Sequence, residues 1–370
     1  MKPASFDFRA PAELAGVLDQ LAAYGDDARI LAGGQSLVPL MNLRMVQPAV
    51  LISINKCDDL DTIARKDERL FCGARVRQAA AEENELVRQD CPLLAAALPY
   101  VGGQANRNRG TVCGSIAHAD PLAELPAVAL ALDAEMHVAS KSGTHRIAAE
   151  DFFLGELDTA LKPGELLQAV AFKRQLSTER STFLELGNRR HGFAVAGLAL
   201  RLEIEDGSCT MARIATMGGG AVAQRISSAE AVLEGAAIDE TVIVAAVAAL
   251  RAATPTSPNP LRPGGREGVN SDRTVSFPSA FRLARAQIIL ALHQCIFAFF
   301  EPCERPFAAQ IVEMQDYFAA VVTAERGHNF TEHHRAGSER FTDGLKPGVT
   351  ALRRLGDGER QRVALSKREG

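Results

Sequence analysis

The residues with the clearest chemical potential are glycines. In the stretch "ILAGGQSLVPLMNLR", residues 30–44, an apolar run enters Gly33 and Gly34, passes Gln35 and Ser36, and returns to Leu37 and Val38. Backbone N–H groups can cradle a diphosphate only where the chain comes close and turns tightly, which requires residues without a Cβ at the contact points. Gly33 and Gly34 meet that requirement behind Ala32. Gln35 and Ser36 add side-chain donors, and Leu37 to Leu40 seal the far side. A tight surface turn explains the same glycines without a ligand. Such a turn usually breaks into polar residues, whereas this one is apolar again within three positions.

The second chemically suggestive stretch is "NRNRGTVCGSIAHADPLAELPAVALALDA". Thr111 and Ser115 flank Gly114, which reads as a turn with a helix opening just after it. Asp120 followed by Pro121 predicts an N-cap with proline at the first helical position, and capping alone would account for Asp120. Glu124 falls in that first turn, where a carboxylate favours the helix dipole and could accept hydrogen bonds from ligand hydroxyls. His118 reads as structural. Arg107 and Arg109 precede the stretch and suit either a phosphate or partner charge, or plain surface solvation.

Other chemistry is sparse. No Ser/His/Asp or Cys/His set suggests nucleophilic catalysis, so no catalytic residue is assigned. The eight histidines form no metal signature; His328, His333 and His334 cluster in a tail where solvation is the simpler reading. The seven cysteines are scattered without C-x-x-C spacing, which argues against an iron–sulfur cluster or structural zinc carried by this chain alone. A rival motif is "GGGAVA", residues 218–223, which matches the G-x-G-x-x-A turn of a dinucleotide-binding βαβ unit.

The elements that must position these residues follow from periodicity. "AELAGVLDQLAAY" places Leu14, Val17, Leu18 and Leu21 on one helical face, and "ARILAGG" and "AVLISI" read as strands. This predicts a small β-α-β unit with the glycine pair at a strand's carboxyl end, where open sheets hold ligands. "LFCGARV", a polar helix, "CPLLAAALPYV" and "DPLAELPAVALALDAEMHVAS" continue the same part up to the "LKPGE" turn. Beyond residue 180 the grammar changes to antiparallel strands joined at Asp206-Gly207, followed by Ala-rich helices. After Ala253 "TPTSPNPLRPGGREGVNSDR" is a linker by composition, and the charge-rich end is expected to be disordered.

At 370 residues the chain can bury two or three cores. A net charge of −4 and pI near 6.1 give no general pull toward nucleic acid or anionic membrane. No segment reaches bilayer-spanning length and no signal-peptide pattern opens the chain, so the expected compartment is the cytoplasm.

The two glycine stretches, in this order and at this separation, resemble the paired FAD-binding motifs of the flavoprotein (medium) subunit of the molybdenum hydroxylases. That group includes aerobic carbon monoxide dehydrogenase and xanthine dehydrogenase. "DFFLGELDTALKPGELL", "FLELGNRRHGFAVAGLAL" and "ARIATMGGGAVAQRISSAEAVLEG" are similar to later landmarks of the same family, so the resemblance covers about residues 1–253. It implies that Ala32, Gly33, Gly34, Gln35, Ser36 and Leu37 hold the FAD diphosphate from one side and Thr111, Gly114 and Ser115 from the other. Glu124 falls where an acidic residue binds near the flavin, with Asp120 as its neighbour. The implied fold class is α+β. Residues 1–175 would form a two-part FAD-binding domain, with a small βαβ subdomain at 1–57 and a larger mixed α/β subdomain at 58–175. A smaller antiparallel-sheet-plus-helices domain would follow at 180–253, then a linker at 254–280 and an irregular tail at 281–370.

Three departures stand out. The family usually has Gly-Gly where this chain has Cys113-Gly114; Cys113 is expected to be a small apolar filler rather than a strained position. Gly192 replaces part of a common Gly-Asp pair. Beyond Ala253 the family's closing helices are absent, which suggests a changed reading frame or a fused segment. The resemblance further implies two partners, a large molybdenum-cofactor subunit and a small [2Fe–2S] subunit, assembled as a heterotrimer or a dimer of heterotrimers. This chain would then pass electrons from the clusters through FAD to an external acceptor. The alternatives are a degenerate assembly subunit without FAD, or a stand-alone FAD- or NAD-dependent oxidoreductase.

Overall fold

The computed structural model describes residues 2–187 and 194–253. Gly192, Cys295, Cys303, His328, His333, His334, the linker at 254–280 and the tail at 281–370 lie outside the described residues. The architecture is α+β, as the resemblance implies.

The first sheet is parallel, in the order β1-β3-β2, from β1 (Asp7–Arg9), β2 (Ala28–Leu31) and β3 (Val50–Ser53). Helix α1 (Leu14–Tyr24) crosses from β1 to β2, and the short α2 (Leu37–Asn42) crosses from β2 to β3. The apolar stripe of α1 buries Val17 and Leu21, with Leu14 and Leu18 half-covered beside them. Strand β3 is buried along its whole length, as a central parallel strand should be. Strand β1 is exposed throughout and has no apolar alternation to announce it.

The second sheet is antiparallel, in the order β4-β5-β10-β6-β7. It comprises β4 (Ile63–Lys66), β5 (Arg69–Gly73), β6 (Glu135–Ser140), β7 (Gly143–Ala148) and β10 (Leu166–Lys173). Between β5 and β6 the chain forms α3 (Gln78–Glu83), α4 (Glu85–Asp90), α5 (Pro92–Ala97), α6 (Gln104–Arg107), α7 (Val112–His118) and α8 (Glu124–Ala131). Between β7 and β10 lie α9 (Ala149–Phe152) and the small ribbon β8 (Phe153–Gly155) with β9 (Asp158–Thr159). All eight residues of α8 are buried. A helix that is apolar all round has to sit inside the protein, and this one packs between α5 and α7 on one side and the third sheet on the other.

That third sheet runs β11-β12-β13-β14 through β11 (Glu179–Gly187), β12 (Ala194–Glu205), β13 (Ser208–Met217) and β14 (Gln224–Arg225). Asp206 (φ 49°) and Gly207 (φ 80°) make the two-residue turn between β12 and β13, which pair Glu205 with Ser208. Positive φ at both positions gives the twist that a tight hairpin requires. One face of the sheet, with Phe183, Ala199, Ala215 and Met217, joins the main core. The other, with Leu198, Leu200 and Ile214, packs on α10 (Ser227–Leu233) and α11 (Glu240–Ala253).

Ion pairs fasten α8 to this sheet. Asp133, just past the helix, receives Arg201 at 3.4 Å, Arg213 at 3.4 Å and Arg225 at 3.1 Å. Arg201 is 1% exposed and also grips Glu179 at 2.6 Å. Among the described residues no helix is long and apolar enough to cross a membrane.

The "GGGAVA" motif connects antiparallel strands, since β13 pairs with β14 through Thr216 and Gln224. A dinucleotide-binding turn needs a parallel βαβ unit, so that reading is corrected. Gly218, with φ 79°, serves close packing instead: a Cβ there would overlap the Val195 carbonyl oxygen and stand 2.9 Å from Ala196 Cα.

Candidate functional site

The parallel sheet and the helical layer face each other across a cleft of about 740 Å³, within the roughly 300–1,000 Å³ typical of ligand sites. All eleven residues singled out in the sequence line it: Ala32, Gly33, Gly34, Gln35, Ser36, Leu37, Thr111, Gly114, Ser115, Asp120 and Glu124.

Gly34 turns the chain at φ 72°, a left-handed conformation open to glycine at little cost. Val38 N–H closes the first hydrogen bond of the turn, to the Gly34 carbonyl at 3.1 Å. The amides before Val38 are those that a helix start leaves without an intrahelical acceptor. The Ser36 side chain does not cap α2. The first stretch is therefore a tight bend that leads straight into a short helix.

Gly33 has a different reason to be glycine. A Cβ there would overlap the Arg109 carbonyl oxygen and lie 2.7 Å from Gly110 Cα, so the backbones of the two stretches touch. Two side chains lock this contact. Asn55 donates to the Ala32 carbonyl at 3.0 Å, Arg77 donates to Asn55 Oδ1 at 2.5 Å, and Arg77 also donates to the Arg109 carbonyl. Asn106 adds a cross-cleft bond, donating to Gln35 Oε1 at 3.2 Å.

The second stretch departs from its sequence reading. Gly114 lies inside α7, not in a turn, and Thr111 is the N-cap, its Oγ1 accepting from Gly114 N–H at 3.0 Å. Val112 N–H donates to the Val76 carbonyl and Ser115 N–H to the Thr111 carbonyl. These amides are already used, so this wall offers the Thr111 and Ser115 hydroxyls rather than a second amide cradle. Gly114 is required because a Cβ would stand 2.5 Å from the capping Thr111 oxygen.

Asp120 is also corrected. Helix α8 begins four residues later at Glu124, with Ala123 in the cap position. Asp120 Oδ1 instead accepts Leu122 N–H at 2.8 Å, so it closes a turn whose Pro121 carbonyl receives Gly218 N–H at 2.9 Å. Glu124, 8% exposed, opens α8 and lines the cleft. Burial is the main cause that raises Glu124 to about 7. Burial first and the Glu124 charge second raise Glu185 to about 7.

Cys113 is 2% exposed, has no positive φ and directs its Sγ to the Cys72 carbonyl at 3.3 Å. The filler reading fits. Arg107 is buried and spent on Glu82 at 2.7 Å and on the Gly102 carbonyl at 2.9 Å, so its charge serves the loop before α7 and not a ligand. Arg109 contributes its backbone carbonyl to the Arg77 lock. His118 lines the cleft, where burial lowers its pKa against the opposing pull of Asp120.

Sequence reasoning missed several wall residues, among them Gln78, Asn106, Leu161 and Glu165. The "LKPGELL" stretch carries a usable signal, a glycine turn returning at once to an apolar strand, the same grammar as residues 33–38.

Two family models match the chain. One is the FAD binding domain in molybdopterin dehydrogenase, over residues 4–172, and the other is the CO dehydrogenase flavoprotein C-terminal domain, over residues 181–262. The chain is 38% identical over 234 residues to the 6-hydroxypseudooxynicotine dehydrogenase complex subunit alpha of Paenarthrobacter nicotinovorans, covering 63% of this chain and 79% of that protein. It is 30% identical over 254 residues to the carbon monoxide dehydrogenase medium chain of Afipia carboxidovorans, covering 69% and 88%. The solved structure of carbon monoxide dehydrogenase from Hydrogenophaga pseudoflava superposes with a TM-score of 0.73 at 28% identity, over 80% of this chain and 98% of that one. With both motifs on one cleft and matches through both parts of the chain, it belongs to the FAD-binding flavoprotein subunits of the molybdenum hydroxylases, oxidoreductases of the carbon monoxide dehydrogenase type.

Proposed function

We propose that this chain is the electron-relay subunit of a molybdenum-containing hydroxylase or dehydrogenase. It would receive electrons from the [2Fe–2S] clusters of a small partner subunit and deliver them through FAD to an external acceptor. A large molybdenum-cofactor subunit would carry out substrate hydroxylation, and the three chains would form a heterotrimer or a dimer of heterotrimers. A flavin exchanges electrons singly or in pairs, so when bound it joins one-electron clusters to a two-electron acceptor.

The chain's own residues supply binding and orientation. The bend at residues 32–37 would hold the diphosphate through backbone amides, aided by Gln35 and Ser36. Thr111, Gly114 and Ser115 would close the opposite wall with two hydroxyls and a gap where a Cβ would stand. Asp120 would fix the turn that carries Glu124 into the cleft. On this reading residues 1–175 are the cofactor-binding part, and residues 180–253 supply the sheet that backs it.

The observation that supports the proposal is the backbone contact of Gly33 with Arg109 and Gly110, which brings two distant stretches together on one cleft. Purification from the native host tests it. The expected product is yellow, with flavin on this chain and iron and molybdenum on two companions. A colourless chain that still joins the complex would mean a degenerate assembly subunit. Turnover by this chain alone would mean a self-sufficient oxidoreductase.

A further inference from the structure

The Gln35 side chain is held at both ends by the protein. Its Nε2 donates to the Gly33 carbonyl at 3.3 Å, and its Oε1 accepts from Asn106 Nδ2 at 3.2 Å. Gln35 and Asn106 both line the cleft and are seventy-one positions apart in the chain. A carboxamide has two N–H donors and one acceptor oxygen. Here the oxygen and one N–H are engaged within the protein, so a single N–H is left to give to a phosphate.

The two ends of this strap are unequal. Asn106 lies in α6, and its backbone is fixed on both sides. Its N–H donates to the Gly103 carbonyl at 2.9 Å, and its own carbonyl accepts Arg109 N–H at 3.1 Å and Gly110 N–H at 2.6 Å. The neighbouring Arg107 is buried and ties the same helix to Glu82 at 2.7 Å and to the Gly102 carbonyl at 2.9 Å. Asn106 is therefore the anchor. The other end belongs to a bend pivoting on Gly34 at φ 72°, a residue free to adopt other conformations. The Asn55–Arg77 lock holds the Ala32 carbonyl behind this bend. Among the described residues, the bond to Asn106 is the one side-chain hydrogen bond that runs from residues 33–37 to the opposite wall.

We propose that Asn106 is a positioning residue for the cofactor cleft: by pinning the Gln35 side chain across the cleft, it fixes the direction in which the amides between Gly34 and Val38 point. Gln35 then serves the diphosphate chiefly by orienting the bend it sits on. The consequence for FAD rests on the proposed function above; the consequence for the protein without ligand does not. Loss of the strap leaves Gln35 its bond to Gly33 alone, and the bend is then free to turn about Gly34 while the joint behind it stays closed.

The test uses the full chain stripped of flavin, as wild type, Asn106→Ala, Gln35→Ala and the double variant. Hydrogen exchange is followed first without ligand, at the amides of Val38 and Leu40, which bond the Gly34 and Ser36 carbonyls. Local opening of the bend sets their exchange. Asn106→Ala should speed it as much as Gln35→Ala does, although it lies seventy-one positions away, and unchanged exchange in Asn106→Ala would overturn the proposal. FAD titration is the second arm. Each single variant should bind FAD roughly 2–10-fold more weakly, the contribution of one hydrogen bond of ordinary strength. The double variant should be no worse than the weaker single one, because both substitutions cut the same strap. Additive losses would mean two independent ligand contacts and would overturn it. So would weakening in Gln35→Ala alone, which would mean that Gln35 meets the diphosphate directly. If FAD binds none of the four proteins while their exchange differs as expected, the strap stands and the cofactor reading falls. Should Asn106→Ala not fold, Gln35→Met, close in size but without the amide, must show the faster exchange, and its absence would count against the strap.

Discussion

Gly33 and Gly110 meet backbone to backbone: a Cβ on Gly33 would lie 2.7 Å from Gly110 Cα and overlap the carbonyl oxygen of Arg109. Residues seventy-seven positions apart thus form a single joint. A methyl group here strikes backbone, which cannot swing away as a flexible side chain could. Gly33→Ala should cost roughly 1–3 kcal/mol as overpacking and should lower bound flavin, read by thermal unfolding and by the ratio of flavin to protein absorbance. Full flavin content at unchanged stability would show that the joint opens freely.

Gly34→Ala acts through conformation rather than space. At φ 72° a Cβ should cost about 1–2 kcal/mol, detectable as a lower denaturation midpoint. The turn that directs the amides before Val38 should loosen, weakening FAD affinity more than Gly25→Ala does. Gly25 also has positive φ, 50°, but precedes β2 and does not line the cleft.

The Asn55–Arg77 lock predicts non-additivity. Asn55 holds the Ala32 carbonyl and Arg77 the Arg109 carbonyl, and the two side chains bond each other. Asn55→Ala and Arg77→Ala should each destabilise the protein. In a double-mutant cycle followed by urea denaturation, their coupling should be roughly 0.5–3 kcal/mol. Strict additivity would mean that the two loops are held independently.

How much of this was legible in the sequence depends on whether the cause is local. Helix α1 announces itself through Leu14, Val17, Leu18 and Leu21, and the β12–β13 hairpin through Asp206-Gly207, because the period and the turn residue are both contained in the stretch itself. The second stretch misled for the same reason. Gly114 reads as a breaker, yet a capped helix start absorbs it, since Thr111 supplies the bond that holds Gly114 N–H. Asp120-Pro121 carries a cap signature that an Asx-type turn uses equally well. The Asn55–Arg77 lock leaves no local trace, because it depends on tertiary contact between polar residues of ordinary type.

The buried Arg201–Glu179 pair gives a stability prediction. Removing Arg201 leaves Glu179 as an uncompensated charge inside the protein, so Arg201→Ala should cost about 3–5 kcal/mol, whereas Glu179→Ala leaves Arg201 its Asp133 partner and should cost less. The paired replacement Arg201→Met with Glu179→Leu should cost far less. Denaturant unfolding of the three variants checks this, and equal losses in all three would contradict it.

The thiols give a pH prediction. Cys72 is buried, and burial raises its pKa from 9.0 to about 12; Cys209 is raised to about 11, chiefly by burial. The stability contributed by these neutral thiols is fully present below pH 9 and is lost as pH rises through 11 to 12. Folded protein at pH 8 should therefore leave Cys72, Cys91, Cys113 and Cys209 unmodified by iodoacetamide, with labelling appearing only on unfolding. Peptide mass analysis would reveal rapid labelling in the folded state, which would contradict their burial.

The central claim is that both stretches hold one dinucleotide, and an experimental structure of the full chain with FAD tests it most directly. The account predicts diphosphate oxygens within hydrogen-bond distance of an amide among residues 34–37 and of the Thr111 or Ser115 hydroxyl on the opposite wall. A dinucleotide bound elsewhere, or held by one stretch while the other stands clear, would contradict it.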